Sequence, residues 1–270
     1  MYDLLLRRGH QCTQPRAELF AQALADFDSA LATAGGDQTM LNLARVGKGR
    51  ALLGLGRFAD ISAAVAAVPK SFVYQTEHNS TTQQNGLATG WPTRTVSTAD
   101  LEGGTGLNFR TANDPRVPMA ANGKGTDGIT NIYTDTRYLT VTSPIVFASG
   151  IEARLQVAEA LLKAGQAQQA LDTLNALRQP VAGLTPLTLQ ATAAAQVDQL
   201  FRERAFWLYL TGHRLGDLRR LIRAYGRAQN TVFPVGSYRG AQQYGSDINF
   251  VMPLAELNNP NFKGCLDRSQ

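Results

Sequence analysis

The residues of this 270-residue chain that could carry out chemistry are few and widely spaced. None of the three histidines has the spacing that would pair two of them around a metal ion on one helix face. The serine-nucleophile, phosphate-loop and dinucleotide-binding motifs are absent from the sequence. Carboxylate pairs such as Asp26/Asp28 and Asp114/Asp127 could act as glycosidase acids, but most surface carboxylates are simply solvated. We therefore predict a protein that is not an enzyme and uses no cofactor and no metal.

The arginines are the second group that could do chemistry. Seven of them lie in residues 202–227 against two acids, Glu203 and Asp217, and this local surplus of five equals the net charge of the whole chain, +5. Such a cluster could bind phosphate or an acidic partner. A DNA-binding role would need a recognisable reading element as well, and the sequence has none. Because Arg214 precedes Asp217 by one helical turn, we favour an ion pair that locks a helix junction, and we predict no nucleic-acid partner.

The two cysteines, Cys12 and Cys265, lie near opposite ends of the chain. They could form one disulfide in an oxidising compartment, or they could be two unrelated buried thiols. Two cysteines are too few for a Cys-based zinc site. The first residues lack the apolar run of a signal peptide, so for an exported protein we expect a signal upstream of this chain.

A change of composition marks residues Lys70–Ser149, where Thr, Asn, Gly and Ser dominate and aromatic residues are scattered singly. We expect long loops with short strands in this insert, and Thr130–Thr142 is the best strand candidate. Aromatic faces stack on the apolar faces of sugar rings, while the polar side chains hydrogen-bond hydroxyl groups. We therefore place a glycan- or peptide-binding surface in the insert.

The aromatic residues of the insert are the candidate ligand contacts. We expect Trp91, which stands between Gly90 and Pro92 in a polar stretch, to be exposed in a groove. Each ring could instead belong to the core, which is where most single aromatic residues lie. The candidate ligand-binding residues are Trp91, Tyr74, Tyr133 and Tyr138.

Helical hairpins must position these groups, because apolar residues recur at helical spacing on both sides of the insert. The predicted helices are Ala17–Ala34, Met40–Leu55, Ala59–Val68, Ile151–Ala164, Ala167–Leu177, Ala194–Leu210 and a short helix from Asp217 to Tyr225, with a break near Gly212. Small residues and a glycine turn give two of the pairs tetratricopeptide-like spacing. We predict a mainly α fold: tetratricopeptide-like helical hairpins with a long loop and short-strand insertion.

One domain of residues 1–270 accommodates this organisation. Its predicted parts are a helical part with a tetratricopeptide-like pair at 17–69, the loop-rich insert at 70–149, a second pair and further helices at 150–226, and C-terminal turns with an extended tail at 227–270.

The segment from Glu203 to Arg220 resembles the signature of the RagB/SusD family. In this signature a Glu-Arg pair begins a helix, and Gly, Arg and Asp-Leu close it. The matching residues are Glu203, Arg204, Gly212, Arg214 and Asp217, with Asn259, Pro260 and Asn261 resembling the family's C-terminal ending and Asp114-Pro115-Arg116 its step ahead of a strand. Trp207 and Thr211 stand where the family usually has Glu, so we expect an incomplete internal salt-bridge network. The chain is also short for the family, either as a reduced member or because its front is missing.

The resemblance implies a SusD-like, non-enzymatic lipoprotein on the cell surface of the outer membrane. Such a protein captures glycans or peptides for a SusC-type TonB-dependent transporter and is held at the membrane by a lipid anchor that this chain does not contain. Family ligands are held by loops that vary, so the resemblance assigns no ligand residue. The alternatives are an intracellular tetratricopeptide-type scaffold, which predicts reduced cysteines, and a structural surface component without a ligand.

Overall fold

The computed structural model describes residues 16–98, 100, 106–239, 242–246, 248, 258 and 260. Its helices are α1 Arg16–Thr33, α2 Gln38–Leu55, α3 Ile61–Val65, α4 Gly86–Gly90, α5 Gly150–Lys163, α6 Ala167–Arg178, α7 Ala193–Trp207, α8 Arg214–Tyr225 and α9 Gln229–Val232, with one 3-10 turn at Phe58–Asp60. Its strands are β1 Val73–Thr76, β2 Met119–Lys124, β3 Asn131–Asp135, β4 Ile145–Ser149, β5 Ser237–Arg239 and β6 Gln242–Gln243. The predicted mainly α fold with a short-strand insertion is confirmed. No helix of the described part is long and apolar enough to cross a membrane.

The first helices pack through glycine. The Asp37 side chain caps α2, and Gly56, with φ of 73°, ends it. A Cβ atom on Gly47 would lie 2.3 Å from the Phe27 ring of α1, so the glycine is what allows α1 to approach α2. The return helix is shorter than the predicted Ala59–Val68, because its beginning is a 3-10 turn.

The second hairpin, α5 and α6, matches its predicted position closely. The Ser149 hydroxyl caps α5 by accepting a hydrogen bond from the Glu152 amide, and Gly165, with φ of 75°, turns the chain towards α6. Two apolar clusters hold these helices in place. One, around Val46, joins α2, α3 and α5, and the other, around Leu200, joins α5, α6, α7 and α8.

The insert begins and ends in one antiparallel sheet. β1 pairs with β4, and β2 pairs with β3 in a second sheet, so the chain leaves the helical part and returns to it at adjacent points. The strand predicted at Thr130–Thr142 is confirmed in its first half as β3. It ends at Asp135, whose carboxylate accepts bonds from the Arg137 amide and guanidinium and so turns the chain.

The return point is tightly packed at Gly150. Its amide donates to the Phe72 carbonyl at 2.8 Å, and an added Cβ atom would lie 2.0 Å from the Pro69 carbonyl oxygen and 2.6 Å from that of Lys70. These neighbours are backbone atoms, which cannot rotate away as a flexible side chain would.

We expect Gly150→Ala to lower the free energy of unfolding by about 1–3 kcal/mol, because the backbone must shift to admit the methyl group. The matched control is Gly216→Ala in α8, where, among the described residues, no atom other than those of its chain neighbours and its own helix backbone lies within 4 Å of the new Cβ. That change should stabilise by about 0.5–1 kcal/mol, because alanine loses less conformational entropy in a helix. Urea denaturation of both variants checks the opposite signs, and equal effects would contradict the packing described here.

Candidate functional site

The adjacent residues Glu203 and Arg204 carry opposite charges into the interior from α7. Both are buried. Because consecutive helical residues project about 100° apart, the two side chains meet different neighbours. The chain then reverses through Leu210 and Gly212, whose φ angles are 61° and 82°, before α8 begins. The predicted break near Gly212 is confirmed.

Glu203 joins the insert to the helical part. Its carboxylate accepts hydrogen bonds from Arg116 Nη1 at 2.5 Å and from Arg178 Nη1 of α6 at 2.6 Å. Arg116 also binds Asp114 through Nε at 2.8 Å and Nη2 at 2.6 Å. The Asp-Pro-Arg step is therefore a charged attachment of the insert to α6 and α7.

Arg204 joins α7 to α8. Its Nε and Nη2 donate to the two carboxylate oxygens of Asp217 at 2.8 and 2.9 Å. Arg220 also donates to Asp217, at 2.9 Å, and makes a two-pronged contact with Glu159 of α5 at 3.0 and 2.9 Å. The hydrogen bonds described at Asp217 thus come from Arg204 and Arg220, whereas the sequence analysis assigned this role to Arg214.

A fourth buried carboxylate, Glu152, lies two helical turns before Glu159 on α5. It accepts bonds from Arg50 Nε at 2.5 Å and from His213 Nε2 at 3.0 Å. The other ring nitrogen of His213 contacts the Thr211 hydroxyl at 2.8 Å. Both ring nitrogens of His213 are therefore engaged.

Acids from outside the signature add to its ion pairs. Glu159 of α5 pairs with Arg220, and Glu152 of α5 pairs with His213 and Arg50. The expectation of fewer acids within the signature holds at Trp207 and Thr211, but α5 contributes two from elsewhere in the chain.

Burial and ion pairing compete at these acids. Burial by itself raises the pKa of Glu152, but hydrogen bonds and charge from Arg50 and His213 outweigh it and lower the pKa to about 2. Burial also raises the pKa of Asp217, but the charges of Arg204 and Arg220 hold it well below its usual range. Both groups are therefore ionised in the folded protein near neutral pH.

A cavity of about 380 Å³ lies where the insert meets the α7–α8 turn. Its walls are mainly apolar, and its polar lining comes from the signature and from the loop before β2. The lining residues are Ser97, Phe109, Arg204, Ala205, Leu208, Tyr209, Leu210, Gly212, His213, Arg214 and Asp217. The signature residues Arg204, Gly212, Arg214 and Asp217 are thus brought together around one space.

The predicted ligand aromatics are not brought together at the surface. Trp91 is 4% exposed and Tyr138 is 3% exposed, so the expectation of an exposed Trp91 is wrong. α4 ends immediately before Trp91 and turns the ring inward, while the Trp91 carbonyl accepts a bond from Asn122. Tyr74 and Tyr133 are half-buried, and Arg110 lies 4.6 Å from the centre of the Tyr133 ring.

Phe147 is the exposed aromatic residue that the sequence analysis did not select. It lies at the bulge in the β1–β4 pairing, is 47% exposed and meets Tyr74 edge-to-face with ring centres 6.3 Å apart. The run Ile145-Val146-Phe147 has the pattern of a fully buried strand, so the sequence carries no signal for this exposure.

The remaining predicted residues lie mostly beyond the described part. Cys12, Cys265, Asn259 and Asn261 are outside it, and Pro260 is exposed. Among the described residues, no group of three or more His, Cys, Asp or Glu side chains could hold a metal ion.

Comparison with known proteins agrees with the signature. Residues 152–259 match the SusD_RagB family, described as the SusD family, which confirms the resemblance stated above. Surface glycan-binding protein A from Bacteroides uniformis is 14% identical, with a TM-score of 0.47 over 80% of this chain and 59% of that chain. A SusD superfamily protein from Parabacteroides distasonis is 18% identical, with a TM-score of 0.47 over 90% and 61%. The chain spans about three-fifths of these two proteins, and no curated protein matches it.

We expect Asp217→Asn to lower the free energy of unfolding by about 3–5 kcal/mol, because Arg204 and Arg220 then lose a buried counter-charge. The control is Asp60→Asn, which removes a carboxylate paired with Arg57 at the same three-residue spacing but half exposed. An exposed pair contributes less than about 1 kcal/mol. Chemical denaturation compares the two variants, and a similar cost for both would argue against the buried network as a stabilising element.

Acid should destabilise the protein through the same carboxylates. The folded-state pKa values of Glu152 and Asp217 lie below their unfolded values near 4, so the unfolded chain binds protons first as the pH falls. The stabilisation is complete above about pH 5 and is lost as the pH falls towards 2. Denaturation midpoints measured between pH 7 and pH 2 should fall, and Glu152→Gln should flatten that fall.

Proposed function

We propose, from the SusD-family segment at residues 152–259, that this protein is a non-enzymatic cell-surface protein that binds glycans. The family match is the observation that carries the proposal. The matched segment includes the helices whose buried charges bind the insert to the helical part. Glycan binding is the ligand class that the SusD-like family resemblance implies.

The binding surface we propose is the aromatic pair Tyr74–Phe147 on the β1–β4 sheet. Phe147 is about half exposed, and so is Val73 on the paired strand β1. Arg50 lies 5.2 Å from the centre of the Phe147 ring and donates a hydrogen bond to the Phe147 carbonyl. The guanidinium is itself fixed by Glu152, so the ring is held by the buried network. A rigid, exposed ring beside a cation suits the apolar face and hydroxyl edge of a sugar.

The other predicted aromatics take different parts in this proposal. Tyr133 stays a contact residue because it is half-buried beside Arg110. Trp91 and Tyr138 act from beneath the surface, as packing residues that support the loops of the insert.

The partner and location follow from the family. We propose that the bound glycan is passed to a SusC-like TonB-dependent transporter in the outer membrane. A lipid anchor outside the described residues would hold the protein there. A peptide in place of a glycan is the alternative ligand within the same role.

We expect Phe147→Ala and Tyr74→Ala to weaken glycan binding by at least about tenfold, because each removes a stacking face. The control is Leu19→Ala on α1, whose side chain is 49% exposed, close to the 47% of Phe147, but lies outside the insert. Isothermal titration calorimetry against a panel of soluble oligosaccharides and peptides measures the affinities.

Binding that survives both aromatic substitutions would reject the surface assignment. Absence of binding to every glycan would reject the proposed function, and binding to peptides alone would move the ligand class to peptides.

A further inference from the structure

We propose that Arg50 makes the Tyr74–Phe147 surface selective for acidic glycans, because its guanidinium binds the carboxylate of a uronic acid residue. The inference rests on the proposed glycan-binding function and narrows the substrate class of that same surface. Arg50 lies on α2 and reaches the surface from 97 residues before Phe147.

One nitrogen of the Arg50 guanidinium is left for a ligand. Nε donates to Glu152 Oε1 at 2.5 Å, and Nη2 donates to Glu152 Oε2 at 2.7 Å and to the Phe147 carbonyl. Nη1 makes no hydrogen bond with the described residues, and it is not one of the buried atoms there that lack a partner. The Arg50 side chain is 31% exposed. The N–H groups of Nη1 therefore face solvent, where a ligand can reach them.

The guanidinium is held in place before a ligand arrives. Its partner Glu152 has a side chain only 2% exposed, and the same carboxylate accepts bonds from Gln156 and His213. Because the carboxylate is buried and the arginine is partly exposed, solvent meets the cation and not its counter-ion. A donor that is fixed in advance loses little side-chain entropy when it binds a ligand.

The charges of the neighbouring elements leave room for an anion. β1 and β4 contain no charged residue. Asp28 of α1 is paired with Lys48 at 2.5 Å, and Glu77, which directly follows β1, makes no ion pair with Arg50. The residues of α2 include three bases and no acid, the bases being Arg45, Lys48 and Arg50. Within the described residues, the acid that pairs with Arg50 is thus the buried Glu152.

The backbone acceptors near the ring are already occupied. The Phe147 carbonyl accepts a bond from the guanidinium, and the Ile145 carbonyl accepts one from the Thr76 hydroxyl at 3.3 Å. The side chains of Tyr74 and Gln75 can each donate a hydrogen bond as well as accept one. The surface therefore offers more donors than acceptors, which matches a carboxylate better than a hydroxyl group. A hydrogen bond between ions is also roughly twice as strong as a neutral one.

The exposed ring selects the source of the carboxylate. Phe147 is 47% exposed, and Arg50 Cζ lies 5.2 Å from the centre of its ring. In a uronic acid the carboxylate is attached directly to the sugar ring, so a sugar stacked on Phe147 can bring its carboxylate to the guanidinium. A peptide carboxylate is carried on a flexible side chain and loses more conformational freedom on binding. The observations therefore favour an acidic glycan over an acidic peptide.

The test compares uronic acid oligosaccharides with their carboxyl-reduced forms, in which a hydroxymethyl group replaces each carboxylate. Oligosaccharides of galacturonate, hyaluronate and alginate are titrated into the full chain by calorimetry, alongside an oligoglutamate peptide. We expect one acidic series to bind about tenfold more tightly than its reduced form. This ratio should fall as salt is added, because ions screen the attraction to a partly exposed cation.

The double variant Arg50→Gln/Glu152→Gln tests the residue assignment. It removes both charges together, so neither is left in place without its partner. The ratio of acidic to reduced affinity should fall to about one, whatever happens to the absolute affinity, because a neutral amide gains little from the charge of a carboxylate. The matched control is Arg57→Gln, which removes an arginine that is 54% exposed and also paired with a carboxylate, that of Asp60. The control should keep the ratio of the parent protein.

The outcomes separate this inference from the proposed function. Equal affinity for acidic and reduced glycans would overturn the acid selectivity and leave glycan binding standing. An acid preference that persists in the double variant would overturn the role of Arg50. Binding of the peptide without any acidic glycan would overturn the uronic acid source. Absence of binding to every glycan, acidic or reduced, would overturn the proposed function and this inference with it.

Discussion

The fold depends on finding a partner for each buried charge. An ion removed from water without a counter-ion costs several kcal/mol, so the burial of Glu203 and Arg204 is possible only if other elements supply the opposite charges. α6 and the insert supply arginines to Glu203, and α8 supplies Asp217 to Arg204. The hydrophobic clusters fill the space between helices, and the ion pairs add contacts of α7 with α6, α8 and the insert.

The positions of the helices were predictable because the spacing of apolar residues within a helix is a local property of the sequence. The tetratricopeptide-like pairs and the break at Gly212 needed no knowledge of distant residues. The pairing of charges was not predictable in the same way. Glu152 and Glu159 lie on α5, more than 40 residues before Glu203. In the sequence their spacing is that of an ordinary polar helix face. Only packing of α5 against α7 and α8 turns that face inward.

Composition also failed to separate exposed from buried aromatics. Trp91 lies in a polar stretch and is buried, whereas Phe147 lies in an apolar run and is exposed. Short strands and loops lack an extended repeat of apolar residues. One turn or one bulge is therefore enough to change the direction in which a side chain points. α4 does this for Trp91, and the irregularity between Tyr74 and Gln75 does it for Phe147. The exposure of each aromatic residue in the insert therefore follows from three-dimensional packing and not from composition.

The pairing of β1 with β4 has an evolutionary consequence. Because the two ends of the insert are neighbours, the residues between them form a segment whose ends are held together by β1 and β4. This segment can lengthen or shorten at little cost in loop-closure entropy. The helical frame would tolerate exchange of this segment provided that its contacts with the frame were kept, namely the Asp114–Arg116 anchor to Glu203 and the packing of Phe109 and Val117 on α7. A scaffold with such a segment can acquire new ligand preferences without redesign of its core.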